Sequence, residues 1–248
     1  MRHLRHLSLI LILWLIAGQA GAQQHPRLQI APLDHKHFFI YTTYGTLDDG
    51  STYPSNSLYA VTTQGIVMID VPWDTTQTLP LIDSIERLHK TKVIACIATH
   101  FHKDRTAGLN KLKARGIRTY ATRQTDSLCA LKGEERAAFI MGKDTTFRFG
   151  DLELKTFYPG PGHTSDNIVV WFPRERVLYG GCFIKSIETE NLGNLEDADP
   201  ASWPASVKRV QRAFPHPKYM IPGHGSFRDL GALQHTATLA QQYVKQQK

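Results

Sequence analysis

The sequence predicts an α/β fold in which two β-sheets pack together with helices on the outside. Three observations carry this expectation. Short strand-like apolar runs come in series in both halves of the chain, with segments of helical spacing flanking each series. No Gly/Pro/Ser-rich linker divides the halves. The 248 residues are 42% hydrophobic, enough to bury one large core or two halves sharing one.

Taken in order, the chain opens on "MRHLRH", then the apolar "LSLILILWLIAG", then the small residues Ala20–Ala22 before Gln23. That is the layout of a secretory signal peptide over residues 1–22, leaving 23–248 as a single exported domain. The apolar run falls short of the roughly 20 residues a membrane span takes, so no stable membrane anchor is expected. "HFFIYTTY" (37–44) reads as a strand, and "GTLDDGSTYPSN" (45–56) as a flexible loop or hairpin tip. "SLYAVTT" and "GIVMIDV" read as two more strands turning at Gln64–Gly65. In "TTQTLPLIDSIERLHK", Leu79, Ile82, Ile85 and Leu88 recur at helical spacing. The apolar strand "VIACIA" follows, then a short helix "AGLNKLKAR" that Gly116 can terminate. The second half repeats the texture: "LELKTFYP", "NIVVWFP" and "RVLYGG" as strands, "PASWPASVKRVQRAF" as a helix, "KYMIP" as a strand, and a closing helix over "FRDLGALQHTATLAQQYVKQQ".

The formal charge is +7. Basic residues cluster at Lys111–Arg118 and Lys208–Arg212, but both segments read as amphipathic helices with charges facing water. They lack interleaved aromatics, which argues against a nucleic-acid partner. There are three cysteines, Cys96, Cys129 and Cys182, so at least one thiol has no disulfide partner within the chain. Cys96 reads as core and Cys129 as helical, and a bond between these two stays open.

The chemistry begins where "VIACIA" ends, in "HFHKD". In extended backbone, side chains at i, i+2 and i+4 point the same way, so His100, His102 and Asp104 can meet at one point as a zinc-accepting set. A second H-x-H, His35 and His37, introduces a strand with no carboxylate two residues on, and reads as surface histidine. Three later sites strengthen the first motif. "PGPGHTSDN" holds His163 in a Gly/Pro loop, "YGGCFIKS" places Cys182 just past a strand, and "MIPGHGS" places His224 just past another. Each sets a soft or imidazole ligand beside glycines, where backbone can approach a metal closely. Six such ligands suit two zinc ions, and a zinc-bound thiolate gives the unpaired cysteine a purpose.

The series "THFHKD", "GPGHT", "GGCFIKS" and "IPGHG" resembles the metallo-β-lactamases, and within that superfamily subclass B1. The likeness runs from about Phe38 to the last helix and includes "PSNSLYAVTTQGIVMIDVPWD". Many relatives, such as glyoxalase II-like thioesterases, carry a second His after the motif Asp and a bridging Asp. Here those positions are Arg105 and Cys182, as in subclass B1.

The resemblance implies a four-layer αβ/βα sandwich of two mixed sheets, with a site holding two Zn2+ at the junction of its halves. It implies His100, His102 and His163 on one zinc, and Asp104, Cys182 and His224 on the other. A zinc-bound hydroxide would open the lactam, with Asp104 orienting it and the second zinc stabilising the leaving nitrogen. Lys185 would pair with the substrate carboxylate, and Asn194 would stand near the lactam carbonyl. Gly45–Ser55 would be a flap over the substrate, with Leu47 an apolar contact and Trp73 packing near the site floor. The expected protein is a periplasmic, monomeric zinc β-lactamase acting on penicillins, cephalosporins and carbapenems and conferring antibiotic resistance. The competing readings are another hydrolase on the same fold, acting on a thioester, lactone or phosphodiester, and a non-enzymatic zinc protein. A structural zinc site is closed by four protein ligands, whereas six shared over two metals leave positions open for chemistry.

Overall fold

The computed structural model describes residues 28–34, 37–47 and 49–247. The signal-peptide expectation and the His35 reading therefore lie outside the described residues.

The first sheet has seven strands in chain order: β1 (Leu28–Pro32), β2 (Phe38–Thr46), β3 (Thr52–Thr62), β4 (Gly65–Ile69), β5 (Val93–Ile97), β6 (Arg118–Thr122) and β7 (Phe139–Met141). β1 to β4 form an antiparallel meander, and β4 to β7 run parallel. Parallel neighbours need crossovers. These are supplied by α1 (Thr78–His89), by α2 (Lys103–Thr106) with α3 (Leu109–Ala114), and by α4 (Arg123–Lys132). The second sheet joins β8 (Thr146–Phe149), β9 (Leu152–Phe157), β10 (Val169–Phe172), β11 (Val177–Gly181) and β12 (Tyr219–Pro222). Only its β11–β12 pair is parallel, bridged by α5 (Trp203–Ala213). The chain closes on α6 (Ala232–Gln246).

The apolar residues sort into three layers of contact. Ile40, Leu58, Ile69 and Ile97 of the first sheet meet Val170, Phe172, Tyr179 and Ile221 of the second. Phe38 and Phe172 lock this interface edge to face at 4.9 Å. On the outer face of the first sheet, Leu81, Ile82 and Ile85 of α1 and Leu109 and Leu112 of α3 cover Met68 and Cys96. On the outer face of the second, Val207 and Val210 of α5 and Leu233 and Ala237 of α6 cover Val169 and Leu178. This is the expected four-layer sandwich. It also explains why "VIACIA" reads as unbroken apolar sequence: β5 is a parallel strand covered on both faces.

Four expectations need correction. The tip between β2 and β3 is only 47–51, because Thr52–Asn56 pair with Thr46–Thr42 in the ladder. β1, β6, β7 and β8 were not foreseen; they have three to five residues, too short to show a period, and all but β6 are edge strands. The last helix begins at Ala232 rather than near Phe227, because Asp229 Oδ1 accepts from Gly231 N and holds a turn there. Most consequentially, "HFHKD" is not extended. His102 keeps extended dihedrals (φ −64°, ψ 154°), but Lys103–Thr106 coil into α2, with Thr106 Oγ1 donating to His102 O at 3.0 Å. Asp104 thus reaches the site from a helical turn. All three cysteines are free thiols. Among the described residues no helix is long and apolar enough to cross a membrane.

Candidate metal centre

Four chain segments converge where strands of the two sheets end. His100 and His102 follow β5, His163 lies between β9 and β10, Cys182 follows β11 directly, and His224 follows β12. The approach of β11 and β12 needs glycine: Gly181 has φ +51°, and a Cβ on Gly223 would fall 2.6 Å from Gly181 C and 2.7 Å from Cys182 N. Gly223 N donates to Gly181 O at 2.7 Å, which fixes Cys182 against His224. The His163 loop is braced by Asn167, which accepts from Thr164 N and donates to Gly160 O.

The potential ligand atoms of His100, His102 and His163 all lie within 4.8 Å of one another, as do those of His100, Asp104 and Cys182. His224 joins the second group, its Nε2 being 3.2 Å from Cys182 Sγ and 3.4 Å from Asp104 Oδ2. The six residues proposed from sequence are therefore brought together. The hydrogen bonds on their far sides assign the lone pairs. His102 Nε2 donates to Asp197 Oδ2 at 3.0 Å, which leaves Nδ1 bare and facing His163 Nε2 at 3.1 Å. His224 Nδ1 donates to Pro54 O at 2.6 Å, which leaves Nε2 bare toward the thiol. His100 Nε2 is buried with no hydrogen-bond partner among the described residues, 3.9 Å from Asp104 Oδ1. Nitrogen lone pairs converging beside the Asp104 carboxylate, with the Cys182 thiol between Asp104 Oδ2 and His224 Nε2, fit cations that would take the place of the thiol proton.

Electrostatics agree. Burial pushes His100 and His163 well below the ordinary histidine range, aided by His102 and Lys185 respectively, so both are neutral as a metal requires. Burial alone would raise the Asp104 carboxyl, but the Arg105 guanidinium at 2.9 Å and the neighbouring histidines hold it well below the carboxylate range. Burial pushes the Cys182 thiol up to about 12, with Arg105 pulling against it, so without a cation the thiol keeps its proton. Arg105 is fully buried and does more than fill a family position. It donates to Cys182 Sγ at 3.0 Å, Asn56 O at 2.8 Å and Tyr179 OH at 3.1 Å, and stands 3.6 Å from Asp70 Oδ2.

Around this centre, Lys185 is buried with its Nζ 5.3 Å from the Trp203 ring. Asn194 is exposed, and its Oδ1 accepts from Glu196 N at 2.9 Å. Trp73 is half-buried, packs on Gly45 and sits 6.2 Å ring to ring from His224, making it part of the wall. A cleft of about 440 Å³ is lined by Gly45, Trp73, Lys103 and Glu134; it shares Trp73 with the wall near His224, and none of the six ligands lines it. Leu47 is exposed at the hairpin tip.

Sequence reasoning missed Asp197, which bonds His102 and pairs with Lys132 at 3.0 Å. It also missed Asp70, which accepts from Thr99 N, Thr99 Oγ1 and Tyr179 OH. Asp70 left a signal: a lone carboxylate inside the apolar "GIVMIDV" has to be buried with partners. Asp197 left none among the other acidic residues of its loop.

Residues 50–224 match the model of the metallo-beta-lactamase superfamily. The chain is 40% identical over 241 residues to metallo-beta-lactamase type 2 of Elizabethkingia meningoseptica, covering 97% of this chain and 96% of that protein. It is 38% identical over 205 residues to metallo-beta-lactamase type 2 of Bacillus cereus, covering 83% and 80%. Its fold is similar to the solved metallo-beta-lactamase from Pontibacter korlensis, with a TM-score of 0.82, 35% identity, and 86% and 99% covered.

Proposed function

This chain belongs to the metallo-beta-lactamase superfamily, to its subclass B1, and is a β-lactam hydrolase, and from that premise we propose that it works as a dizinc enzyme. His100, His102 and His163 would hold one ion, and Asp104, Cys182 and His224 the other. The observation that carries this reading is the set of bare lone pairs facing inward, each fixed by a hydrogen bond or burial on its far side. Zinc held there supplies a Lewis acid that ionises water near neutral pH.

The chain's own groups do the rest. Asp104 Oδ1, the oxygen not engaged by Arg105, aligns the attacking water on the lactam carbonyl. Lys185, stripped of most of its water against Trp203, pairs with the substrate carboxylate and sets the ring over the centre. With its Oδ1 held by Glu196 N, Asn194 gives its carboxamide N–H to the carbonyl oxygen as negative charge develops. Trp73 and the tip at Leu47 cover the apolar flank of the substrate. The carbonyl carbon–nitrogen bond then breaks, and the ring nitrogen takes its proton from water.

Penicillins, cephalosporins and carbapenems are the substrates we assign. The enzyme is taken to be a monomer, exported to the periplasm by the leader read at residues 1–22 and conferring antibiotic resistance there. The test is turnover of nitrocefin and imipenem by the purified zinc-loaded protein, with and without a chelator. Chelator-sensitive hydrolysis of both is the expected result. Zinc-replete protein that hydrolyses neither, but cleaves a thioester, lactone or phosphodiester, would transfer the site to another hydrolytic reaction.

A further inference from the structure

Lys185 sits in a segment with no regular structure, between Cys182 and the Asn194 loop. Such a segment has no ladder to fix its backbone, yet a charge-pairing lysine is useful only if its Cα is fixed. Two consecutive residues of α6 grip this segment. Thr236 is completely buried; its Oγ1 accepts from Lys185 N at 2.8 Å and donates to Ala232 O at 2.7 Å. His235 Nε2 donates to Thr189 O at 2.7 Å. The two bonds fasten positions 185 and 189 to one rigid helix, whose buried face, the one that carries Thr236, is packed into the core through Leu233 and Ala237.

The geometry points to Thr236 as a positioning residue for substrate carboxylate recognition, with His235 as the second anchor. This inference rests on the role given above to Lys185. A buried hydroxyl in a helix ordinarily satisfies itself by donating to the carbonyl four residues back. Thr236 does that and still offers a lone pair, which the Lys185 N–H takes. Replacing the hydroxyl by a methyl group of the same shape leaves that N–H buried without an acceptor. Relieving it requires moving the backbone that carries the ammonium, so the consequence should fall on the carboxylate contact and not on the metal centre.

The experiment compares a chromogenic cephalosporin with its methyl ester, measured on the zinc-loaded enzyme. Thr236→Val should raise KM and lower kcat/KM for the free acid about tenfold, the scale of one buried unpaired donor. The ester should change by less than about twofold, since it has no charge for Lys185 to meet. Zinc content should stay at the wild-type value, and Thr236→Ser, which keeps the hydroxyl, should restore the acid-to-ester ratio. In a Lys185→Ala background, adding Thr236→Val should cause no further loss on the acid. If Lys185→Ala discriminates acid from ester but Thr236→Val changes both equally or neither, the positioning role is overturned. If Lys185→Ala itself fails to discriminate, the carboxylate role of Lys185 falls, and the inference with it.

Discussion

Arg105 offers a sharp perturbation, because one fully buried guanidinium faces two buried carboxylates and a thiol. In Arg105→Leu, Asp104 loses a partner at 2.9 Å and Asp70 one at 3.6 Å. At an effective dielectric of about 20, unit charges about 4 Å apart interact by about 4 kcal/mol. Removing one partner of a buried pair typically costs about 3–5 kcal/mol. For a domain of this size that is a fall in Tm of roughly 6–20 °C. The loss has a pH signature. Burial already raises Asp70 to about 6, against the pull of Arg105. Without that pull its folded pKa rises further above the unfolded value. A raised folded pKa gives stability that is present below the unfolded value and lost as pH rises through the folded one. The deficit of the variant should therefore be larger at pH 8 than at pH 5. The assay is thermal unfolding of chelated wild type and variant at both pH values. A deficit below about 1 kcal/mol, the scale of an exposed pair, or one independent of pH would refute the assignment of Arg105 as their shared countercharge.

Three further outcomes follow from the same geometry. Cys182→Ala should reduce bound zinc from two ions to one, with kcat/KM falling by more than the roughly 10–100-fold expected for an outer hydrogen-bond partner; full activity on one zinc would contradict the ligand set. Asp197→Ala should release the outer nitrogen of His102 and weaken first-site zinc binding about 10–100-fold in chelator competition, where an unchanged affinity would show that the 3.0 Å bond does not matter to the metal. Burial lowers the Lys185 ammonium below its ordinary value, so its charge is lost as pH rises through that lowered value. KM for carboxylate-bearing β-lactams should climb on the alkaline side in wild type and stay flat in Lys185→Arg, and a flat wild-type profile would count against the pairing.

Much of the architecture was legible because it is written in short-range patterns. Ile82 and Ile85 at helical spacing mark α1, and the unbroken apolar run of β5 marks a strand covered on both faces. The edge strands β1, β7 and β8 were not legible, since three to five half-exposed residues carry no usable period. His100, His102 and Asp104 could be picked out by the spacing of "HFHKD", and His163, Cys182 and His224 because imidazole and thiol side chains beside glycines next to strands are costly there without a purpose. The geometry of "HFHKD" was misread because alternation was carried past the end of β5 at Ile97 and into the helical turn that starts at Lys103, where Arg105 and Thr106 are both fully buried. Asp197 and Thr236 are one carboxylate and one hydroxyl among many, and only folding gives them partners at His102 and Lys185.

The most direct measurement is anomalous scattering at the zinc edge from crystals of the zinc-loaded enzyme. Two peaks are expected per chain, one about 2.0–2.1 Å from His100 Nε2, His102 Nδ1 and His163 Nε2, the other about 2.0–2.3 Å from Asp104 Oδ2, Cys182 Sγ and His224 Nε2. A single peak closed by four protein ligands, or density away from Cys182 Sγ, would contradict the paired centre.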